Sequence, residues 1–190
     1  VALSLFAVVV TIATDLFLAF QRTSRKTQNL ELVVTNARLV TERIARELRE
    51  GSISYARFYE DNSNADLTRV QTQLFIRTNT GEDLRIFRAD DTGGVSNVCP
   101  DAQRKPCLIL SVNDATESLT GAGVRVRNAA FLIAPVQDPF EFVSATGAFR
   151  SNEQPRVTIY LSFDNTKDPA DQNYARYDVR TTISSRIYRR

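Results

Sequence analysis

The chain opens on twenty residues, VALSLFAVVVTIATDLFLAF, that hold a single charge and neither Gly nor Pro. A helix over such a run reaches about 30 Å, the depth of one bilayer core. The run passes without a breaker into an amphipathic stretch that ends at Glu50. A chain built this way folds as a hydrophobic rod carrying a head. The expected division is an apolar helix over 1–21, its amphipathic continuation over 22–51, and a globular head over 52–190.

The apolar run has three readings. A cleavable signal peptide needs a shorter apolar core and a small-residue cleavage site, and ATDLFLAFQR does not offer one. A simple membrane anchor is the second reading. The third is a helix that rests in the membrane and then packs against copies of itself. Asp15 bears on the choice, because a carboxylate at mid-helix in lipid costs about 2.5–3.5 kcal/mol. It has to sit near the headgroups or meet a cation in a helical bundle. Arg22, Arg25 and Lys26 follow the run and would by themselves draw that side toward the cytoplasm.

Leu30, Val33, Val34, Ala37, Val40, Ile44 and Leu48 recur at three- and four-residue steps. That spacing is one apolar stripe on a helix, built to lie on a domain core. Arg38, Glu42, Arg46, Arg49 and Glu50 fall on the opposite side, with Glu42 and Arg46 spaced for an ion pair. Gly51 is the expected stop.

Composition removes several functions. With 43% hydrophobic and 24% charged residues the chain has the material for a folded domain. A net charge of +2 argues against dedicated nucleic-acid binding. The absence of His removes imidazole metal ligands and every triad with a His base. An enzyme would then need a carboxylate pair or a Ser–Lys pair, and no spacing recommends one, so no catalysis is expected. With no Met, the chain does not start at its initiator, and an upstream segment is expected to have been cleaved or left out.

Cys99 and Cys107 bracket a short segment with a Pro just inside each end. A bridge between them would close a small loop and contribute about 2–3 kcal/mol. Such bridges belong to oxidising compartments, which sets this loop against the basic flank at Arg22 in deciding topology.

Beyond Gly51 the period changes to two. Residues 70–77 alternate, Asn79 to Glu82 reads as a turn, and 84–88 returns, which predicts a hairpin. Further strands are expected at 107–110, 124–133, 157–163 and 177–187, with a long loop between Pro135 and Pro155. The predicted fold class is α+β, with the helix stripe covering one face of an antiparallel sheet. Phe140, Phe142 and Phe149 are expected to pack beneath the long loop.

The combination resembles the type IV pilin-like family of pilus subunits and secretion or competence pseudopilins. The likeness rests on VALSLFAVVV, similar to the apolar part after the family's processing site. It rests also on QRTSRKTQ leading into ARLVTERIARELREG, and on QPRVTIYLSF and VRTTISSRIY, which look like the closing strands of minor subunits. The family's processing motif, a Gly, usually a Phe, and a Glu a few residues on, does not occur here, since the chain begins inside the run.

The resemblance implies a structural subunit, most like a minor one. It is held by a single pass in the bacterial inner membrane with an extracytoplasmic head, then built into a cell-surface or periplasmic filament. Implied partners are other pilin-like subunits, an inner-membrane assembly platform, the lipid bilayer before assembly, and a prepilin peptidase acting on the precursor. The implied assembly helix presents Val1, Leu3, Leu5, Phe6, Val8, Val9, Ile12, Asp15, Leu16 and Phe17. Ser4, Ala7, Ala13 and Ala19 are small enough for close helix approach. The rival reading keeps the anchor but makes the head a tethered module that captures a ligand or DNA and never polymerises.

Two weaker signals complete the sequence. Asp164, Asp168 and Asp171 crowd one polar turn and are a candidate calcium set, although the spacing does not match the helix–loop–helix pattern. No other cofactor is expected. Arg186, Arg189 and Arg190 form a basic tail, the candidate contact for DNA.

Overall fold

In the computed structural model, residues 2–61, 66–89, 98–100, 106–113 and 115–185 are described, with the backbone alone for 2–5, 8 and 61. The fold is α+β. Helix α1, Ala2–Glu50, spans 49 residues and about 74 Å. Then follow β1 (Ser52–Ile53), α2 (Tyr55–Asp61), β2 (Gln73–Arg77), β3 (Asp83–Arg88), β4 (Leu108–Val112) and β5 (Ala115–Ser118). The chain continues through β6 (Arg125–Ala134), β7 (Phe142–Val143), β8 (Ala148–Phe149), β9 (Arg156–Asp164) and β10 (Arg176–Ser184).

The strands divide into two main antiparallel sheets. One is a five-stranded meander in the order β1-β2-β3-β4-β5, and the other is three-stranded, β10-β9-β6. A bridge joins them: the Gln71 N–H donates to the Phe131 carbonyl at 2.7 Å, and the Phe131 N–H returns at 2.8 Å. The predicted 70–77 and 84–88 pair does form β2 and β3, closed by a turn in which Gly81 takes φ +88°. That backbone conformation is open to glycine at no steric cost.

Val33, Ala37, Val40, Ile44 and Leu48 of α1 are buried, and α1 packs on β10, β9 and β1. They join Ile76, Ile86, Leu110, Phe131, Ile159 and Phe163 in one core. Leu30 departs from the expected stripe and is 43% exposed. The core begins at Val33, and one residue before Leu30 the Asn29 amide makes the outermost contact, donating to the Asn173 carbonyl at 3.1 Å. The i,i+4 ion pair on this half of α1 joins Arg43 and Glu47 at 2.9 Å, one step beyond the expected Glu42–Arg46.

Gly51 ends α1 because nothing larger fits. A Cβ there would lie 2.6 Å from the Ile76 Cγ2 and 2.9 Å from the carbonyl oxygens of Arg77 and Glu47. The missing side chain lets the helix end press against β2.

Helix α2 is short and was not legible as a helix. Its Phe58 packs edge-on against Phe75, with ring centroids 4.9 Å apart. This contact buries the outward face of β2, so Leu74, Phe75 and Ile76 are all buried where alternation predicts every second residue. The long loop folds into the small ribbon β7–β8. Phe142 and Phe149 remain exposed, meeting edge to face at 5.9 Å, rather than packing beneath the loop. They sit directly opposite across the ribbon, which leaves their outer faces in water.

Cys99 and Cys107 are joined by a disulfide, S–S 1.99 Å. The bridge packs with Ala89, Ile109, Phe87 and Val98 in a small separate cluster on β3 and β4. It points to an extracytoplasmic head.

Candidate functional site: the bare half of the N-terminal helix

From Phe6 to Gln28, every residue of α1 with a described side chain is exposed except half-buried Ser24. Phe20 is 72% and Leu16 67% exposed, and Phe6, Val9, Ile12, Phe17 and Leu18 lie open with them. Isolated exposed apolar residues are ordinary, but a continuous apolar cylinder is not. Among the described residues, nothing in the chain covers it.

The threonine hydroxyls on this half are satisfied without water. The hydroxyls of Thr11 and Thr14 each donate to the carbonyl four residues back, Ala7 and Val10, at 2.8 Å. Thr23 and Thr27 do the same to Ala19 and Thr23 at 3.0 Å. A threonine bonded this way carries no free donor into an apolar environment. Asp15, a carboxylate, has no proton to turn inward in this way.

Val1 lies outside the described residues, as do Arg186, Arg189 and Arg190 of the basic tail; Leu3, Leu5 and Val8 lie on α1 with their side chains undescribed. Among the described residues no helix is long and apolar enough to cross a membrane. The expected span over 1–21 is therefore not met by those residues alone. The part of the run with a continuous set of described side chains, Val9 to Phe20, covers only about 18 Å.

The head offers one strong polar centre, at Asp164. Asp164 is fully buried. Its Oδ1 accepts from the Arg125 Nε at 2.9 Å, and its Oδ2 meets the Arg125 Nη2 and the Arg127 Nε, both at 2.7 Å. The register of β6 on β9 shifts between Val126 and Asn128, a bulge at Arg127. A bulge re-aims a side chain, and here both cations converge on one carboxylate. Asp168 and Asp171 instead accept from the backbone N–H groups of Ala170 and Asn173 within their turn, at 2.8 and 2.7 Å. Among the described residues no cluster of three or more acidic, Cys or His side chains is arranged to hold a metal. Three carboxylates close in sequence do three separate jobs. The signal that finds this centre is the alternating VRVR of β6, which supplies two cations to one face.

Tyr55 is raised well above the usual phenol range, first by burial and then by Asp138, and its hydroxyl donates to the Pro135 carbonyl at 3.0 Å. This contact fixes the start of the long loop against α2.

A long N-terminal helix whose second half packs on antiparallel sheet, with a disulfide in the head, is thus in place. The architecture is pilin-like. Comparison with family models, characterised proteins and solved structures gives no match, so the likeness rests on that architecture.

Proposed function

We propose that the chain is a structural subunit of a pilus-like filament, assembling through the bare half of α1. The observation that carries the reading is the exposed apolar helix from Phe6 to Phe20 on a head whose core is complete without it. An apolar rod leaving lipid has to enter another apolar environment, and neighbouring helices of the same kind supply one. The internally bonded threonines suit both environments. In this reading the run 1–20, at about 30 Å, lodges in the inner membrane before assembly. A peptidase trims the precursor, and an assembly platform draws the subunit into the filament. The role is structural rather than catalytic, and the closing strands favour a minor subunit.

The test is electron microscopy of sheared surface material with antibody raised to residues 52–190. Label along filaments, or at their ends with filaments lost on deletion, is the expected result. Label confined to membranes, with filaments unaffected by deletion, would overturn the reading in favour of the tethered binding module.

A further inference from the structure

The bare half of α1 carries a single acid, and that acid has no partner on its own helix. The residues one turn from Asp15 are Thr11, Ile12, Leu18 and Ala19, all uncharged. Arg22 is the first cation beyond it. Among the described residues neither Asp15 nor Arg22 has an ion-pair partner, and both are exposed.

Their spacing is what matters. Seven residues turn a helix through about 700°, some 20° short of two full turns. Asp15 and Arg22 therefore share one face, about 10.5 Å apart along the axis. Lys26 lies near the same face, eleven residues from Asp15.

We infer that the partner of Asp15 is Arg22 of a second copy of this chain, lying parallel and displaced along the helix axis by seven residues. This deepens the assembly reading and rests on it. The copies turn this face toward a common axis, and the stagger sets acid level with cation. A stagger of eleven residues would pair Asp15 with Lys26, but it leaves less of the Phe6–Phe20 run overlapped. The shorter stagger satisfies the charge and covers more apolar surface. Between apolar helices a charged pair acts as a register pin, because a stagger that meets neither cation leaves a carboxylate facing hydrocarbon.

The experiment uses the full chain in its host cells. Cys99 and Cys107 are bonded to each other, so introduced thiols stand alone. Ile12→Cys/Ala19→Cys places two thiols seven residues apart beside the charged face and leaves both charges intact. Oxidation is expected to give a multimer ladder, whereas Ile12→Cys/Thr23→Cys, eleven apart, is not. Asp15→Arg should cut filament yield by more than about tenfold, since like charges then face each other, and Asp15→Arg/Arg22→Asp should restore most of it. A photo-crosslinker at Leu16 reports helix–helix contact in any register. Crosslinking at Leu16 without the seven-residue ladder, or without rescue by the exchanged charges, overturns the register and leaves assembly standing. A ladder from the eleven-residue pair in its place overturns it too. Absence of any crosslink at Leu16 overturns assembly itself, and Asp15 then belongs at the lipid headgroups.

Discussion

The two halves of α1 are one unbroken helix with opposite fates. From Val33 to Leu48 one apolar stripe is buried, Val33, Ala37, Val40, Ile44, Ala45 and Leu48, and the rest of the circumference is mostly polar, with Leu39 its exposed apolar exception. From Phe6 to Phe20 nearly the whole circumference is apolar, and none of the described side chains is covered. A stripe is enough to dock on one sheet, whereas an all-round apolar surface needs neighbours on every side. The difference lies in pattern rather than in the amount of hydrophobic material. It separates a folding surface from an assembly surface within a single element.

The same truncation in each half should break the comparison or sharpen it. Ile44→Ala opens a cavity in the core and is expected to destabilise the head by about 2–5 kcal/mol. Leu16→Ala should leave head stability within about 0.5 kcal/mol. Urea unfolding of the two variants in detergent checks both, and a large effect of Leu16→Ala would mean that the bare half contributes to the head after all. Reducing the Cys99–Cys107 bridge, remote from either half, should cost about 2–3 kcal/mol and leave helix content unchanged by circular dichroism.

Gly51→Val tests where the docked half ends. The added atoms meet Ile76 and two backbone oxygens, and a loss of about 1–3 kcal/mol is expected, read as a drop in melting temperature. Asn29→Ala removes the outermost tie between α1 and the β9–β10 connection and should cost about 1 kcal/mol. Faster hydrogen exchange should follow near residues 29–33, with none at Ile44.

The smallest effect concerns the solvent face of β10. The Ser162 hydroxyl, first, and then Arg176 hold the Asp178 carboxyl below the usual carboxylate range. Its contribution is full above the unfolded-state value near 4 and is lost as pH falls through the lower folded value. Asp178→Asn should therefore lower stability slightly at neutral pH, with the difference closing as pH falls below about 4, so that the acid limb of the stability–pH profile flattens. An unaltered acid limb would show the carboxyl to be unperturbed.

What the sequence makes legible follows the range of the interactions involved. The α1 stripe and the β2–β3 hairpin are set within a few residues, so periodicity and turn chemistry find them, whereas what demands Gly at 51 is its contact with Ile76 and Arg77 of β2. Helix α2 is two turns long, too short for a period, and the spacing of Tyr55, Phe58 and Tyr59 was its only trace. The burial of Phe75 depends on that helix and was lost with it. How the two sheets are joined depends on the Gln71–Phe131 bridge, which links residues sixty apart. The Asp164 centre is hidden in the sequence for the same reason. Its neighbours in sequence are carboxylates, but its neighbours in space are Arg125 and Arg127, brought from another strand. Of the bare helix, sequence alone reveals the apolar pattern, while exposure on every side depends on where the head stops.

The head's hold on α1 also has a mechanical consequence. The buried hydroxyl of Ser185, at the end of β10, donates to the Gly51 carbonyl at 2.9 Å, and its N–H donates to the Pro155 carbonyl, also at 2.9 Å. The last strand is thus clipped to the foot of the first helix and to the approach of β9. A pull along α1 loads the α1–β10 interface and the nine-residue β10–β9 ladder together, in shear. The five-stranded meander takes load through its edge strand β1, which follows Gly51 directly and packs on α1, while the disulfide cluster on β3 and β4 is further along the sheet. The foot of α1 is thus where tension passes into both main sheets at once.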